Sequence, residues 1–203
     1  PDMRSGEEVG AYVRKVRVVF EEKRIPYDFV IARSSSPDVA QANPLAKIPT
    51  LVCDDGKALY DSVVIVEYLD GLVATPKLIP EAFAARIEVK RWGALGDGIM
   101  DASVDISHEE RVPAAQRKGP EWYAKQQKKI DAGLAAMEKD LGTRDFCCGE
   151  SFTLADVACG TALAYLDLAL PKVEWRKTCP ALHRLAERLA ARESFKKTVV
   201  SES

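Results

Sequence analysis

Two short stretches of the chain combine residue types that could hold a ligand. Lys47-Ile48-Pro49-Thr50 runs directly into the apolar stretch Leu51-Val52-Cys53. Proline cannot donate to a β ladder, so Pro49 at a strand start marks a turn. A cis peptide there would leave the Ile48 main chain open to pair with an extended ligand, which is recognition by strand addition. An ordinary trans-proline at a loop end is the other reading, since cis is found in only ~5–6% of X–Pro bonds. The second stretch, Asp61-Ser62, precedes an apolar-periodic run and reads as a helix start. Ser62 is a good cap, and the free N–H groups of a helix N-terminus receive carboxylates. Asp61 beside it could hold an ammonium group. Together the two would grip both charges of an amino-acid end; a plain cap is the alternative.

The elements that must position these residues follow from periodicity. Tyr12 to Glu22 carries Val13, Val16 and Phe20 among charged residues and reads as an amphipathic helix. Tyr27 to Ile31 is β-rich, and Met3 to Ser5 could supply a first strand. Ser34-Ser35-Ser36-Pro37 reads as a breaker, followed by a short helix through Ala42 that Asn43-Pro44 ends. Asp54-Asp55-Gly56-Lys57 between two apolar runs signals a β-hairpin. Val63, Val66, Tyr68, Leu69 and Leu72 continue as a helix. Past a proline-bounded connector the pattern is helical throughout. Phe83, Ile87, Leu95, Ile99, Ala102 and Ile106 share one face. Ile130, Leu134, Met137 and Leu141 recur after Gly119-Pro120, and further helices span Phe152 to Ala169 and Pro180 to Arg192. Thr153 and Asp156 form a capping box, with Phe152 and Val157 as its hydrophobic staple. The reading is a small α/β domain at 1–75, a linker at 76–81 and an all-helical domain at 82–203.

Composition narrows the functions. The 203 residues carry 29 Lys and Arg against 31 Asp and Glu, a net charge of −2. That balance disfavours nucleic acid as a partner, which calls for a basic excess. No apolar run approaches the ~18–20 residues of a membrane span, and Pro1 to Glu8 is too polar for a secretory signal. The five cysteines are odd in number and irregular in spacing, with no CxxC pair, so a reducing, cytoplasmic compartment is expected. His108-Glu109-Glu110 lacks a second histidine four residues on, and no metal site is expected.

Three segments in order form a signature: Asn43-Pro44-Leu45-Ala46-Lys47-Ile48-Pro49-Thr50-Leu51, then Leu59-Tyr60-Asp61-Ser62 through Leu69, then Gly149-Glu150-Ser151-Phe152-Thr153-Leu154-Ala155-Asp156-Val157. With the α/β half before them they resemble the glutathione S-transferases over nearly the whole chain. Within that family, Ala94 to Ala102 and Arg192-Glu193-Ser194-Phe195 look most like bacterial YibF-type proteins. The resemblance implies a thioredoxin-like N-terminal domain, an all-α C-terminal domain and a homodimer. It implies glutathione as co-substrate, its cysteinyl backbone paired with Ile48 before cis-Pro49. Asp61 and Ser62 would hold its γ-glutamyl end, and Lys47 would approach the glycyl carboxylate. It places a small electrophile in a second pocket lined by Tyr12, Ile99, Met100 and Ser103, core packing being the alternative for Ile99 and Met100.

The chain departs from the family pattern at one position. Relatives place a Ser, Cys or Tyr at the start of the first helix, where it donates to the glutathione thiolate. Here the matching residue is Gly10, which has no side chain. The implied reaction is transfer of the glutathione thiolate to an electrophile. The alternative is a catalytically silent binding or interaction protein on the same fold.

Overall fold

The computed structural model describes residues 10–199, and it divides into two compact units. The first comprises residues 10–78 together with 191–199; the second comprises 79–190. The candidate first strand at Met3 to Ser5 lies outside the described residues.

In the first unit, α1 (Ala11–Lys23) is followed by α2 (Pro37–Ala42), β1 (Leu51–Val52), β2 (Ala58–Leu59) and α3 (Ser62–Leu72). Helix α1 buries Val16, Val18, Val19 and Phe20 and packs against α3, which buries Ile65, Val66 and Leu69. The hairpin forms where Asp54-Asp55-Gly56 predicts it, with Leu51 opposite Leu59 and Val52 opposite Ala58. Each of its strands is only two residues long. Tyr27 to Ile31, expected as a strand, has no strand pairing among the described residues, and Val30 is 77% exposed. β-propensity makes a strand only where a neighbouring ladder is supplied.

Lys23 ends α1 inside the protein. Its ammonium donates to Asp70 Oδ1 at 2.8 Å, the Asp70 carbonyl at 3.1 Å, the Pro76 carbonyl at 2.7 Å and the Val73 carbonyl. A buried ammonium is tolerable only when its protons are taken up in this way. The knot ties the end of α1 to the segment that leaves α3.

The second unit is helical: α4 (Phe83–Arg111), a 3₁₀ turn at Ala114–Gln116, α5 (Pro120–Leu141), α6 (Leu154–Ala169), α7 (Trp175–Thr178) and α8 (Pro180–Ala190). Helix α4 packs against α5 and α6. Its buried positions Val89, Trp92, Gly96, Ile99, Ser103 and Ile106 follow 3–4 spacing. Two glycines permit the close approach. A Cβ on Gly96 would meet the Ala158 backbone at 3.0 Å, and one on Gly133 would meet the Ile99 side chain at 2.7 Å. At the N-terminal end of the shared apolar face, Phe83 is 71% exposed and Ile87 is exposed as well. On α5, Ile130, Leu134, Met137 and Leu141 are buried as their spacing requires. Glu138 on the same helix accepts from the Ala181 and Leu182 amides, 2.9 Å each, and so closes the start of α8.

The C-terminus corrects the domain limits. The last helix, α9 (Glu193–Lys197), joins the first unit, so 82–203 is not one helical body. Arg192 makes a two-pronged contact with Glu22 at 2.9 and 2.8 Å, and Ser194 donates to the same carboxylate at 2.5 Å. Arg14 donates to the Phe195 carbonyl at 3.3 Å. Charge-assisted bonds of this kind outweigh sequence proximity in deciding where a five-residue helix rests.

Candidate functional site

The hairpin register brings the two predicted stretches to the same end of one element. Leu51 faces Leu59, so the residues before β1 and those after β2 emerge side by side. Lys47 to Thr50 and Asp61-Ser62 therefore frame one edge of the first unit.

The loop entering β1 is organised by Asn43, which is 1% exposed. Its carbonyl accepts from the Ala46 amide at 2.8 Å, and its Oδ1 accepts from the Leu45 amide at 2.9 Å. Its Nδ2 donates to the Lys47 carbonyl at 3.0 Å and to Thr50 Oγ1 at 3.3 Å. Thr50 Oγ1 in turn donates to the Lys47 carbonyl at 2.8 Å. Ala46 accepts a φ of +48° within this turn. The Ile48–Pro49 peptide is cis. Lys47 is exposed, and Ile48 and Pro49 are half-buried. The sequence reads Asn43 as a helix stop and as the first residue of the signature; the further signal is Thr50 seven residues on, a partner for its amide.

At the start of α3 the cap is Asp61, and Ser62 is the first helical residue, buried at 3%. This reverses the sequence assignment of the cap to Ser62. Asp61 Oδ1 accepts from the Val63 amide at 2.9 Å, so a carboxylate with two oxygens does what a hydroxyl was expected to do. The Asp61 side of the residue pair remains exposed to solvent.

Gly10 is the N-cap of α1, its carbonyl accepting from the Arg14 amide at 3.1 Å. A Cβ built on Gly10 meets nothing within 4 Å among the described residues. The first turn of α1 has no acidic residue. Its leading N–H groups lack helical partners and point out of the helix end. Tyr12 is half-buried, with the Lys15 ammonium 5.5 Å from its ring centre.

The remaining predicted pocket residues belong to the second unit. Ile99, Met100 and Ser103 are 1%, 0% and 0% exposed, and Ser103 Oγ donates to the Ile99 carbonyl at 2.7 Å. They are core of the helical unit, because Ile99 fills the space over Gly133 and Ser103 satisfies its hydroxyl within α4. Of the second-pocket set, Tyr12 alone keeps accessible surface. A groove of about 1120 Å³ lies at the other end of α1, lined by Arg24, Pro26, Thr75 and Arg192 among others, and contains none of the predicted residues.

Three of the cysteine thiols are held protonated by their surroundings. All five are free. Burial pushes the Cys148 thiol up to about 11 and raises Cys179 as well. The Cys147 thiol lies well above its usual range, chiefly through a hydrogen bond with Cys159 and then through burial. Thiols held this high are not thiolates near neutral pH. Among the described residues no group of His, Cys, Asp and Glu could hold a metal ion, and no helix is long and apolar enough to cross a membrane.

The family model for the glutathione S-transferase N-terminal domain matches residues 9–72, and that for the C-terminal domain matches 120–188. The GST-like protein YibF of Escherichia coli is 34% identical over 95% of this chain and 96% of its own. The chain belongs to the glutathione S-transferase family. Its architecture is accordingly a thioredoxin-like N-terminal domain followed by a helical C-terminal domain. A glutathione S-transferase of Methylobacillus flagellatus, crystallised with glutathione bound, is 43% identical with a TM-score of 0.91, each chain covered to 96%. A second, from Methylobacterium radiotolerans in complex with glutathione sulfonate, is 38% identical with a TM-score of 0.89, covering 95% of this chain and 91% of that one.

Proposed function

We propose that this protein binds glutathione at the hairpin end of its first unit and transfers the glutathione thiolate to a small electrophile. The observation that carries the reading is the shared edge of two motifs suited to the two parts of the tripeptide. Ile48 supplies main chain for the extended cysteinyl backbone. Asp61 and Ser62, at the N-terminus of an 11-residue helix, supply a carboxylate for the γ-glutamyl ammonium and N–H groups for its carboxylate. Lys47 lies within the same loop, toward the glycyl carboxylate. The relatives crystallised with glutathione support the same ligand.

In the transfer the thiol loses its proton to solvent, the sulfur forms a bond to the electrophilic carbon, and the displaced group leaves with the bonding electrons. Gly10 contributes no hydroxyl or thiol to this step. The N–H groups of the first turn of α1 and the helix dipole remain to favour the thiolate. The protein acts as a homodimer in the cytoplasm on this reading. Val64, Tyr68 and Leu72, spaced by four, form an exposed apolar stripe of α3 that a second copy would cover, and the free cysteines suit a reducing compartment.

Calorimetric titration with glutathione tests the binding half, with Ser62→Ala alongside. Saturable heat that weakens in Ser62→Ala supports the site; no heat at millimolar glutathione refutes it. Gly10 favours a second reading, a protein that binds glutathione without transferring it. Tight binding with no detectable conjugation of an aryl halide would select that reading.

A further inference from the structure

The Asn43 and Thr50 side chains close a three-membered ring of hydrogen bonds around one acceptor, the Lys47 carbonyl. That carbonyl belongs to the peptide unit joining Lys47 to Ile48. The unit is not among the cis peptides of the chain, and a trans peptide is planar with its C=O and N–H pointing in opposite directions. With the C=O pulled toward Asn43, the Ile48 N–H is aimed away from the protein side of the loop. Ile48 makes no backbone hydrogen bond among the described residues. We propose that Asn43 and Thr50 are positioning residues for glutathione: by locking the Lys47 carbonyl they aim the Ile48 amide at the main chain of the bound peptide.

The proposal rests on the glutathione-binding reading and adds residues to it that touch no ligand. Asn43 suits the task because its amide donates to both Lys47 and Thr50 while its oxygen holds the Leu45 amide, so the whole turn is fixed by one neutral side chain. Without the lock the peptide unit can rotate, and the Ile48 amide loses its fixed direction. Preorganisation of this kind sets affinity by removing an ordering cost at binding.

The test uses the full chain labelled with ¹⁵N-isoleucine, the Ile48 amide resonance being assigned through Ile48→Val. Glutathione is titrated into the wild type, Thr50→Val, Thr50→Ser and Asn43→Ala, by calorimetry and by following that resonance. Glutathione should shift the Ile48 amide strongly in the wild type. Thr50→Val should bind about tenfold more weakly, the loss expected of one well-aimed hydrogen bond, with a diminished Ile48 shift. Thr50→Ser keeps the hydroxyl and should restore both. Asn43→Ala should show the larger loss; should it fail to fold, the two Thr50 variants carry the test. Wild-type affinity and an unchanged Ile48 shift in Thr50→Val would overturn the proposal while leaving glutathione binding intact. Absence of glutathione binding in the wild type would bring down the functional reading and the proposal together.

Discussion

Asn43 in the first unit and Asp156 in the second are both buried, 1% and 0% exposed, and each side chain holds a loop through three hydrogen bonds. Asp156 accepts from the Cys147 amide at 2.7 Å, the Thr153 amide at 2.8 Å and Thr153 Oγ1 at 3.1 Å. It completes the capping box of α6 and pins the turn containing Cys147. All three of those donors are turned inward. Asn43 instead takes hold of a carbonyl, and the amide on the other side of that peptide unit faces outward. One anchor is charged and consumes the main chain it touches; the other is neutral and displays it. On the proposed reading, the difference separates a loop that stabilises from a loop that recognises.

Removing the charged anchor should have the largest effect. Asp156→Ala orphans three buried donors and should cost about 3 kcal/mol, lowering Tm by roughly 10 °C for a chain of this size. Asn43→Ala leaves donors and acceptors at a loop near solvent, where water can replace part of what is lost, and should cost about 2 kcal/mol. The split should reverse for glutathione affinity, which Asp156→Ala leaves unchanged in the fraction that is folded. Equal affinity losses in the two variants would erase the distinction between the loops.

The same comparison separates by pH. Burial raises the Asp156 carboxyl above its ordinary value near 3.8, the hydrogen bonds from Cys147 and Thr153 opposing the shift only in part. A raised folded-state value means that the native state binds the proton more tightly than the unfolded chain does. Its contribution is therefore most favourable below about 3.8 and is lost as pH rises through the raised value. Asn43 has no such dependence. Denaturant melts of the wild type and Asp156→Asn across pH 3.5 to 6.5 measure this: the stability of the wild type relative to the variant should fall as pH rises. A flat difference would mean that Asp156 titrates as an ordinary exposed carboxylate.

What could be read in the sequence was whatever neighbours in the chain decide. Asp54-Asp55-Gly56 specifies its own hairpin, Thr153 and Asp156 cap their own helix, and Ile130 to Leu141 bury at their own spacing. The motifs at Ile48-Pro49 and Asp61-Ser62 were visible for the same reason, and their family followed from them. Features set by distant partners were hidden. The buried face of α4 depends on how closely Gly96 and Gly133 let other helices approach, so periodicity alone does not separate the buried Ile99, Met100 and Ser103 from the exposed Phe83 and Ile87. Helix α9 was assigned to the wrong unit because Glu22, which holds Arg192, lies 170 residues away. Asn43 was passed over because stopping a helix already explained an Asn before a proline.

The smallest expected change in stability has the largest bearing on chemistry. Gly10 and Asp61 are the N-caps of the two long helices of the first unit, one without a side chain and one with a carboxylate already bonded to its helix. Gly10→Ser would make the two ends alike. Its Cβ meets nothing within 4 Å among the described residues, and the backbone at φ −50° and ψ 146° is open to any L-residue. As a cap, Ser improves on Gly by only a few tenths of a kcal/mol, so Tm should rise by about 1 °C. As a thiolate donor it adds one charge-assisted hydrogen bond, typically ~1.5–3 kcal/mol, which corresponds to roughly a tenfold or greater gain in aryl-halide conjugation at neutral pH. The gain should shrink at high pH, where bound glutathione ionises unaided. A wild type that already matches Gly10→Ser at neutral pH would mean that the amides at the start of α1 do the work of the missing hydroxyl, and the silent reading would fail with that result.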